Sequence, residues 1–278
     1  MKHLSSNRKR QHWRLEDIAF KTIDAASVRD DEFFFLTLAS ASFVEILAET
    51  YSDNLIAHFR ADSEIAHWLQ QTWQQEEVQH GRALKLYVQT VWPEFDWECA
   101  YDAFRTDYSA LCTVEQLEPR LALELVARCV VETGTSTFYR AVQDDVSEPR
   151  LHQLMDSIRA DEAGHYRQFR QFFSSYNAID PQSAWAVIAT IWRRMRDVRG
   201  QDVYIAFKHV YTGRHPNQPF LASDWHRYTQ MVKRRACRHY SFLMAIKMLL
   251  KPVPIAEPLK RVLHWPIFGL ARIWSLYS

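Results

Sequence analysis

Glycine and proline are scarce in this chain of 278 residues, which has only 6 glycines and 10 prolines. A turn-rich β sandwich uses many more of both, so this fold class is excluded. Charged residues make up 24% of the chain and hydrophobic residues 47%, a composition too apolar for a disordered protein. These shortages leave an all-α globular protein as the predicted class.

Paired cysteines, excess charge and long apolar runs are also missing. Cys99, Cys112, Cys129 and Cys237 lie at least 13 residues apart, which excludes a CxxC site for zinc, rubredoxin-type iron or thioredoxin chemistry. A net charge of +1 argues against a nucleic-acid partner. No apolar run approaches the ~18 residues of a membrane-spanning helix, and no apolar stretch follows the basic start. We therefore expect a cytoplasmic protein with reduced thiols.

Hydrophobic periodicity predicts four long helices, over residues 32–59, 64–92, 120–143 and 149–176. Short breaks separate the members of each pair, whereas residues 92–119 form a long connection with one short amphipathic helix. Two helical hairpins joined by a long crossover are the connectivity of a ferritin-like four-helix bundle. The sequence therefore predicts that fold.

The bundle occupies residues 32–176 in this interpretation, after an N-terminal extension of residues 1–31. Residues 177–278 form a C-terminal helical extension, with further helices at 181–212 and 222–250. We expect this extension to pack on the bundle. The alternative is that its C-terminus, which mixes apolar stripes with lysine and arginine, contacts a membrane surface or admits a lipid-like substrate.

Three Glu-x-x-His pairs occur in the chain, at Glu64/His67, Glu77/His80 and Glu162/His165. Residues three apart share a helix face, so a carboxylate and an imidazole can reach one metal ion. A di-metal bundle site takes two such pairs and one further Glu from each of the other two helices. Carboxylate and imidazole ligands suit iron or manganese.

Distance from the hairpin turn selects the ligands of the first hairpin. With the turn near residue 61 or 62, Glu77 and His80 lie level with Glu45 on the first helix. Glu49 is about 6 Å further along the same face and stays the alternative. Glu64 and His67 lie within one turn of the loop, where a solvated position is expected.

The second hairpin gives the same arrangement about a turn near residue 147. Glu132 lies as far before that turn as Glu162 lies after it, and His165 follows one turn later. Glu124 misses this level by roughly 12 Å, so we expect it in a second tier behind the ligands or exposed. The predicted metal ligands are Glu45, Glu77, His80, Glu132, Glu162 and His165.

Three stretches, EEVQH at 76–80, DEAGH at 161–165 and ETGTSTF at 132–138, carry a family resemblance. Over residues 32–173 the chain resembles the ferritin-like di-iron carboxylate proteins, and among them the soluble acyl-acyl carrier protein desaturases and the ribonucleotide reductase small subunit. The desaturases usually have arginine where this chain has Gln79 and Gly164.

The resemblance implies two iron ions, or one manganese and one iron. It also implies that Glu76 and Asp161 each support a histidine ligand on the opposite helix, as an imidazole ligand requires. Thr135 becomes a candidate catalytic residue that passes protons, although a helical threonine also bonds to the carbonyl four residues before it.

The function most consistent with these residues is a di-iron oxidase or oxygenase that uses O2, most like an acyl-chain desaturase or hydroxylase. Its partners would be a small-molecule or acyl-chain substrate and an external electron donor of the ferredoxin or reductase type, because the chain has no redox motif of its own. The C-terminal layer would serve as a substrate cover or a homodimer surface.

Four alternatives stay open. They are an iron-handling ferroxidase, an N-oxygenase of aryl amines, a radical subunit that uses Tyr51 or Tyr139, and a metal-free helical scaffold.

Overall fold

The computed structural model describes residues 12–112, 117–197 and 201–277, so the predicted N-terminal extension is described from residue 12 onward. Within these ranges the chain is helical and contains no strand, which confirms the predicted all-α class. Three 3₁₀ turns, at Leu15–Asp17, Phe20–Thr22 and Ala25–Ser27, lead into the first helix. The α-helices are α1 (Glu32–Ile46), α2 (Ala48–His58), α3 (Ser63–Trp68), α4 (Gln74–Val91), α5 (Trp97–Ser109), α6 (Leu121–Asp145), α7 (Pro149–Ile179), α8 (Ala184–Asp197), α9 (Gln201–Arg214), α10 (Ala222–His239), α11 (Phe242–Leu250) and α12 (Glu257–Tyr277).

The first predicted helix, 32–59, is wrong as a single element. It is two helices, α1 and α2, which meet at Leu47 with a bend of 42°. Neither proline nor glycine occurs between residues 32 and 59, so the usual sequence signals of a kink are missing. Asp31 caps the start of α1, where its side chain accepts a hydrogen bond from the Phe33 amide.

The second predicted helix, 64–92, is also interrupted. A π-helical turn, Leu69–Trp73, separates α3 from α4. A π turn inserts an additional residue into the helix, so it changes which side chains share a face. Asp62 caps α3 by accepting a hydrogen bond from the Ile65 amide, as its position before the helix predicts.

The second hairpin is close to its predicted form. The helices α6 and α7 each run two or three residues past their predicted C-terminal ends. Pro149 occupies the first turn of α7, and the Glu148 side chain accepts a hydrogen bond from the Leu151 amide at 2.6 Å. In the long connection, α5 is the short amphipathic helix that the pattern predicts.

Helix pairs organise the core of the molecule. The helix α1 packs along α4, α6 packs along α7, and α4 meets α7. Around these pairs, α9 and α10 contact α1, while α8, α10 and α11 contact α6. The last helix, α12, packs against α11. The described part of the chain is thus a helical bundle with a further layer of helices on it.

Apolar side chains form two separate cores. One contains Ala83 of α4, Tyr139 of α6 and Ile158 of α7, and the other contains Trp73 before α4 and Val130 of α6. The boundary between them falls at residues 74–82 of α4, 131–138 of α6 and 159–165 of α7. Polar side chains buried at this boundary therefore face one another from several helices.

Gly81 sets how closely α4 approaches α1. A Cβ atom at this position would lie 2.5 Å from both the backbone nitrogen and the Cγ1 atom of Ile46. Backbone atoms cannot move aside as a flexible side chain can, so only glycine fits without separating the two helices. The contact lies next to Glu45 and His80, two of the predicted ligands.

No single helix among the described residues is long and apolar enough to cross a membrane, although α1 and α2 taken together meet that requirement by length and composition.

Candidate metal centre

The six predicted ligand residues come together in the layer between the two cores. Glu45 comes from α1 and Glu132 from α6, whereas the two Glu-x-x-His pairs come from α4 and α7. All six are buried, with at most 6% of each residue exposed. Six ionisable groups in one apolar interior are costly unless they are paired or hold a metal ion.

Ligand atoms of these residues form two groups, each compact enough for one metal ion. One group contains Glu45, Glu77, His80 and Glu162, and its ligand atoms lie within 4.8 Å of one another. In the second group, which meets the same limit, Glu132 and His165 replace Glu45 and His80. Glu77 and Glu162 belong to both groups. Two adjacent ions could therefore share these two carboxylates.

The structure distinguishes the two alternatives for the metal ligand from the first predicted helix, Glu45 and Glu49. Glu45 is buried within the first group, whereas Glu49 lies on α2 with 61% of its side chain exposed and contacts Arg82 at 3.3 Å. Glu64 and His67 are exposed, as expected for residues next to the hairpin turn.

Glu124 was expected in a second tier behind the ligands or exposed, and exposure is wrong. It is 1% exposed and accepts a 2.8 Å hydrogen bond from the Arg128 guanidinium one turn later. The backbone amide of Glu118 donates to its other oxygen at 2.8 Å. Glu124 therefore belongs to a buried ion pair of α6 and not to the metal-ligand cluster.

Carboxylates behind the two imidazoles fix their orientation. The Nε2 atom of His80 lies 2.9 Å from Asp161, and that of His165 lies 2.7 Å from Glu76. Each of these carboxylates comes from the opposite helix, as the family resemblance implies. If Nε2–H donates a hydrogen bond to its carboxylate, Nδ1 carries the free lone pair of the ring, and this atom faces the cluster.

Several atoms that face the cluster centre have no partner in hydrogen-bonding geometry among the described residues. They are Nδ1 of His80, Nδ1 of His165, and one oxygen each of Glu77 and Glu162. Each imidazole nitrogen lies close to one of these oxygens. The distance is 3.2 Å from His80 Nδ1 to Glu162 Oε1 and 3.1 Å from His165 Nδ1 to Glu77 Oε1. Buried polar atoms in native proteins nearly always have a partner, so these atoms are oriented as metal ligands would be.

Electrostatics also favours cations at this place. Burial, together with the charges of Glu77 and Glu162, raises the pKa of Glu45 well above its ordinary value. Burial and the Glu162 charge likewise raise the pKa of Glu132. Four carboxylates carry a charge of −4 when ionised, which two divalent cations would neutralise.

For Glu162 and His165, the neighbouring side chains outweigh burial in setting the pKa. Burial acts to raise the pKa of Glu162, but the imidazoles of His165 and His80 outweigh it and hold that pKa well below its usual range. Burial acts to lower the pKa of His165, yet Glu132 and Glu162 outweigh burial and raise it. Without a metal ion, the neighbouring imidazoles therefore stabilise the ionised form of Glu162, and the neighbouring carboxylates stabilise the protonated form of His165.

Hydroxyl groups also contact the ligand carboxylates. Thr135 donates a 2.6 Å hydrogen bond to Glu162, while the carbonyl of Val131 lies 3.3 Å away. Its proposed role in passing protons stays a prediction. Tyr139 donates to Glu45, and burial raises the pKa of the Tyr139 hydroxyl well above its usual value. The hydroxyl of Tyr51 lies 3.4 Å from Glu77.

Three residues at the site were missed by sequence reasoning. Trp13 donates an indole hydrogen bond to Asp161 at 2.7 Å and stacks parallel to the His80 ring. His12 lies 2.7 Å from Glu76. Trp73, at the end of the π turn, donates to Glu132 at 3.1 Å. No spacing rule connects residue 12 to α4 or residue 13 to α7, and only the abundance of tryptophan could have drawn attention to Trp13.

A pocket of about 340 Å³ opens beside His165. Glu76, Gln168 and Gln171 line it, together with Trp68 and His12. Most of these side chains are polar, so the pocket suits a small polar molecule or a hydrated ion.

The donor set fits a hard divalent transition metal. It consists of carboxylate oxygens and imidazole nitrogens, without a thiolate, which suits iron or manganese better than structural zinc. Comparison with known proteins finds neither a matching family model nor a match among the curated proteins.

Proposed function

We propose that α1, α4, α6 and α7 form a ferritin-like bundle that holds two iron ions, and that the protein uses O2 to oxidise an organic substrate. The single observation that carries this proposal is the membership of Glu77 and Glu162 in both candidate ligand groups. Carboxylates that belong to both groups could bind both ions. Two divalent ions would also neutralise the charge of the four carboxylates, which supports a site for two ions.

Each ion has its own ligands in this proposal. Glu45 and His80 would bind one ion, Glu132 and His165 would bind the other, and Glu77 and Glu162 would connect them. When bound, a ferrous pair supplies the electrons that reduce O2. Further electrons for turnover come from an external donor, because no cysteine or nucleotide motif in the chain provides a second redox centre.

The chain's own side chains orient the ligands and hold protons near them. Asp161 and Glu76 fix the rings of His80 and His165, so that the Nδ1 atom of each ring would face the ions. The Thr135 hydroxyl, 2.6 Å from Glu162, holds a proton at the surface of the ligand cluster. This placement supports its candidacy as the group that delivers protons during turnover.

The resemblance of residues 76–80 and 161–165 to the desaturase motifs supports an acyl-chain desaturase or hydroxylase as the class of enzyme. A ferroxidase that handles iron is the second candidate, and one observation favours it. The pocket beside His165 is lined mostly by polar side chains, which suit a hydrated ion better than an acyl chain.

The first experiment measures metal content per chain by mass spectrometry after reconstitution with Fe(II) under anaerobic conditions. We expect about two ions per chain, and a loss of both in Glu77→Ala and Glu162→Ala, because each removes a shared ligand. Glu49→Ala and Glu64→Ala are matched controls, since these carboxylates are exposed and lie outside the cluster. Metal content that the two cluster variants leave unchanged would refute the di-metal site.

A second measurement separates the two candidate functions. The Fe(II)-loaded protein is mixed with O2 in the presence of excess Fe(II), or with an acyl chain and an electron donor. Stoichiometric product from the organic substrate supports the oxidase or oxygenase. Catalytic oxidation of the excess iron, without an organic product, supports the ferroxidase.

A further inference from the structure

The last helix, α12, presents an apolar face to solvent. Leu259, Val262, Pro266 and Leu270 follow one another at spacings of three or four residues, so they share one side of the helix. Leu259 is 47% exposed, Val262 65% and Leu270 67%. Trp265 lies beside this stripe and is 61% exposed. Over residues 257–271, α12 thus packs against α11 but leaves these large apolar side chains exposed.

Basic residues dominate the charge of the segment that carries this face. Between residues 242 and 278 the sequence has five lysines and arginines but a single acidic residue, Glu257. Lys247, Lys251 and Arg261 are exposed, and the Lys260 ammonium lies at the junction of α11 and α12, where it contacts the carbonyl of Lys251. An exposed apolar stripe with a strong excess of positive charge is the pattern of a helix that lies in the interface of an anionic bilayer.

We propose that α12 docks the protein on an anionic lipid surface, with Leu259, Val262 and Leu270 inserted between the headgroups. A second copy of the chain is the less suitable occupant, because pairing two such segments would bring two clusters of positive charge together. The tryptophan beside the stripe suits the boundary between headgroups and acyl chains, where this side chain is enriched. The proposal does not depend on the metal centre.

The test is flotation of the full-length protein, prepared with and without Fe(II), with lipid vesicles. One set contains phosphatidylcholine and phosphatidylglycerol in a ratio of about three to one, and the other contains phosphatidylcholine alone. We expect binding to the anionic vesicles that weakens with added salt, and little binding to the neutral ones.

Two variants address the two parts of the surface. Leu259→Asn/Leu270→Asn should lower the partition coefficient about tenfold or more, because it removes two inserted apolar side chains. Lys251→Gln/Arg261→Gln should lower it about fivefold per lost charge, since each cation near such a surface contributes a factor of this order. Leu86→Asn/Leu221→Asn is the matched control, because both leucines are exposed and lie far from α12 in sequence.

Several results would overturn the proposal. They are failure of the wild-type chain to bind anionic vesicles, equal binding to both vesicle types, and undiminished binding by the α12 variant. A dimer that Leu259→Asn/Leu270→Asn dissociates, seen by sedimentation velocity without vesicle binding, would assign the face to a second copy instead. Circular dichroism verifies that the variants are folded, and their metal content shows whether the metal centre is intact.

Discussion

Replacing Gly81 by alanine tests whether the close approach of α1 and α4 determines the geometry of the candidate metal centre. The added Cβ would lie 2.5 Å from two atoms of Ile46, and ordinary contact begins at 3.4 Å. The helices must therefore separate locally by about 0.9 Å. Glu45 precedes Ile46 and His80 precedes Gly81, so the displacement acts directly on ligands from both helices.

Two energies of opposite sign contribute to this variant. Overpacking costs ~1–3 kcal/mol, and the upper end applies because one of the crowded atoms is backbone. Alanine in a helix interior gains ~1 kcal/mol over glycine. The net loss of about 2 kcal/mol corresponds to a fall in Tm of ~4–8 °C for a chain of this size.

The effect on metal binding should be larger than the effect on folding. Metal–ligand distances tolerate deviations of about 0.2 Å, well below the local separation of the helices. We expect Gly81→Ala to lose at least about half of its bound metal, measured by mass spectrometry, while circular dichroism shows an intact helical fold.

Gly134→Ala is the matched control. Gly134 lies within α6, two residues after Glu132, and an added Cβ would meet nothing within 4 Å. Alanine should therefore raise Tm by ~2–4 °C through helix propensity alone and leave the metal content unchanged. Equal metal content and equal Tm in the two variants would refute the argument that helix separation sets the site.

Three further predictions concern the surroundings of the cluster. Asp161→Asn weakens the partner of His80, so metal affinity should fall about 10- to 100-fold in a competition titration with a chelator. The metal-free protein should have a Tm that falls as the pH rises from about 5 to 8, because the raised pKa values of the cluster make the native state bind more protons than the unfolded chain does. Arg128→Met leaves the buried carboxylate of Glu124 without its ion-pair partner, which should cost ~3–5 kcal/mol in chemical denaturation.

The sign of the pH effect follows from the individual groups. Carboxyls with a raised pKa, and a histidine with a raised pKa, give stability that is present at low pH and lost as the pH rises through the folded-state pKa. The pKa of Glu162 is lowered in the folded state, so its contribution to stability is fully present above the pKa of an ordinary glutamate. It therefore does not change the Tm between pH 5 and 8. Bound metal replaces the protons, so the loaded protein should show a much flatter dependence. A metal-free Tm that rises between pH 5 and 8 would contradict the argument.

Matched variants control the other two predictions. Asp156→Asn removes a carboxylate from the exposed face of α7 and should leave metal affinity unchanged. Equal chelator titrations for Asp156→Asn and Asp161→Asn would contradict the supporting role of Asp161. Glu124→Leu/Arg128→Met removes both charges together and should be less destabilising than Arg128→Met alone. If Glu124→Leu/Arg128→Met is less stable than Arg128→Met, the argument that an unpaired Glu124 carboxylate causes the loss of stability is refuted.

Positions along the helices were predictable because each residue of an α-helix adds a fixed rise and a fixed rotation. The residue number therefore gives both the distance along the axis and the helix face. Counting outward from two hairpin turns placed Glu45 with Glu77, and Glu132 with Glu162, before any contact was known. The choice of Glu45 over Glu49 followed from the same rise per residue. The structure brings all six predicted residues into one buried layer.

Breaks inside the helices were not predictable in this way. The bend at Leu47 and the π turn at Leu69–Trp73 occur without proline or glycine, so local propensity does not indicate them. Packing between helices decides where such bends and π turns occur. A helix bends or changes its hydrogen-bond pattern where tertiary contacts outweigh one or two backbone hydrogen bonds.

The sequence by itself determined the helical class, the two hairpins and the level at which the six predicted ligand residues meet, because these depend on periodicity and the fixed geometry of a helix. Only the tertiary structure decided which groups stand behind those ligands. The contact of Trp13 with Asp161 joins residues 148 positions apart, and the space that requires Gly81 is defined by Ile46 on another helix. The exposure of the α12 stripe was likewise decided in three dimensions, because the same apolar spacing would serve equally well for a helix packed on the bundle.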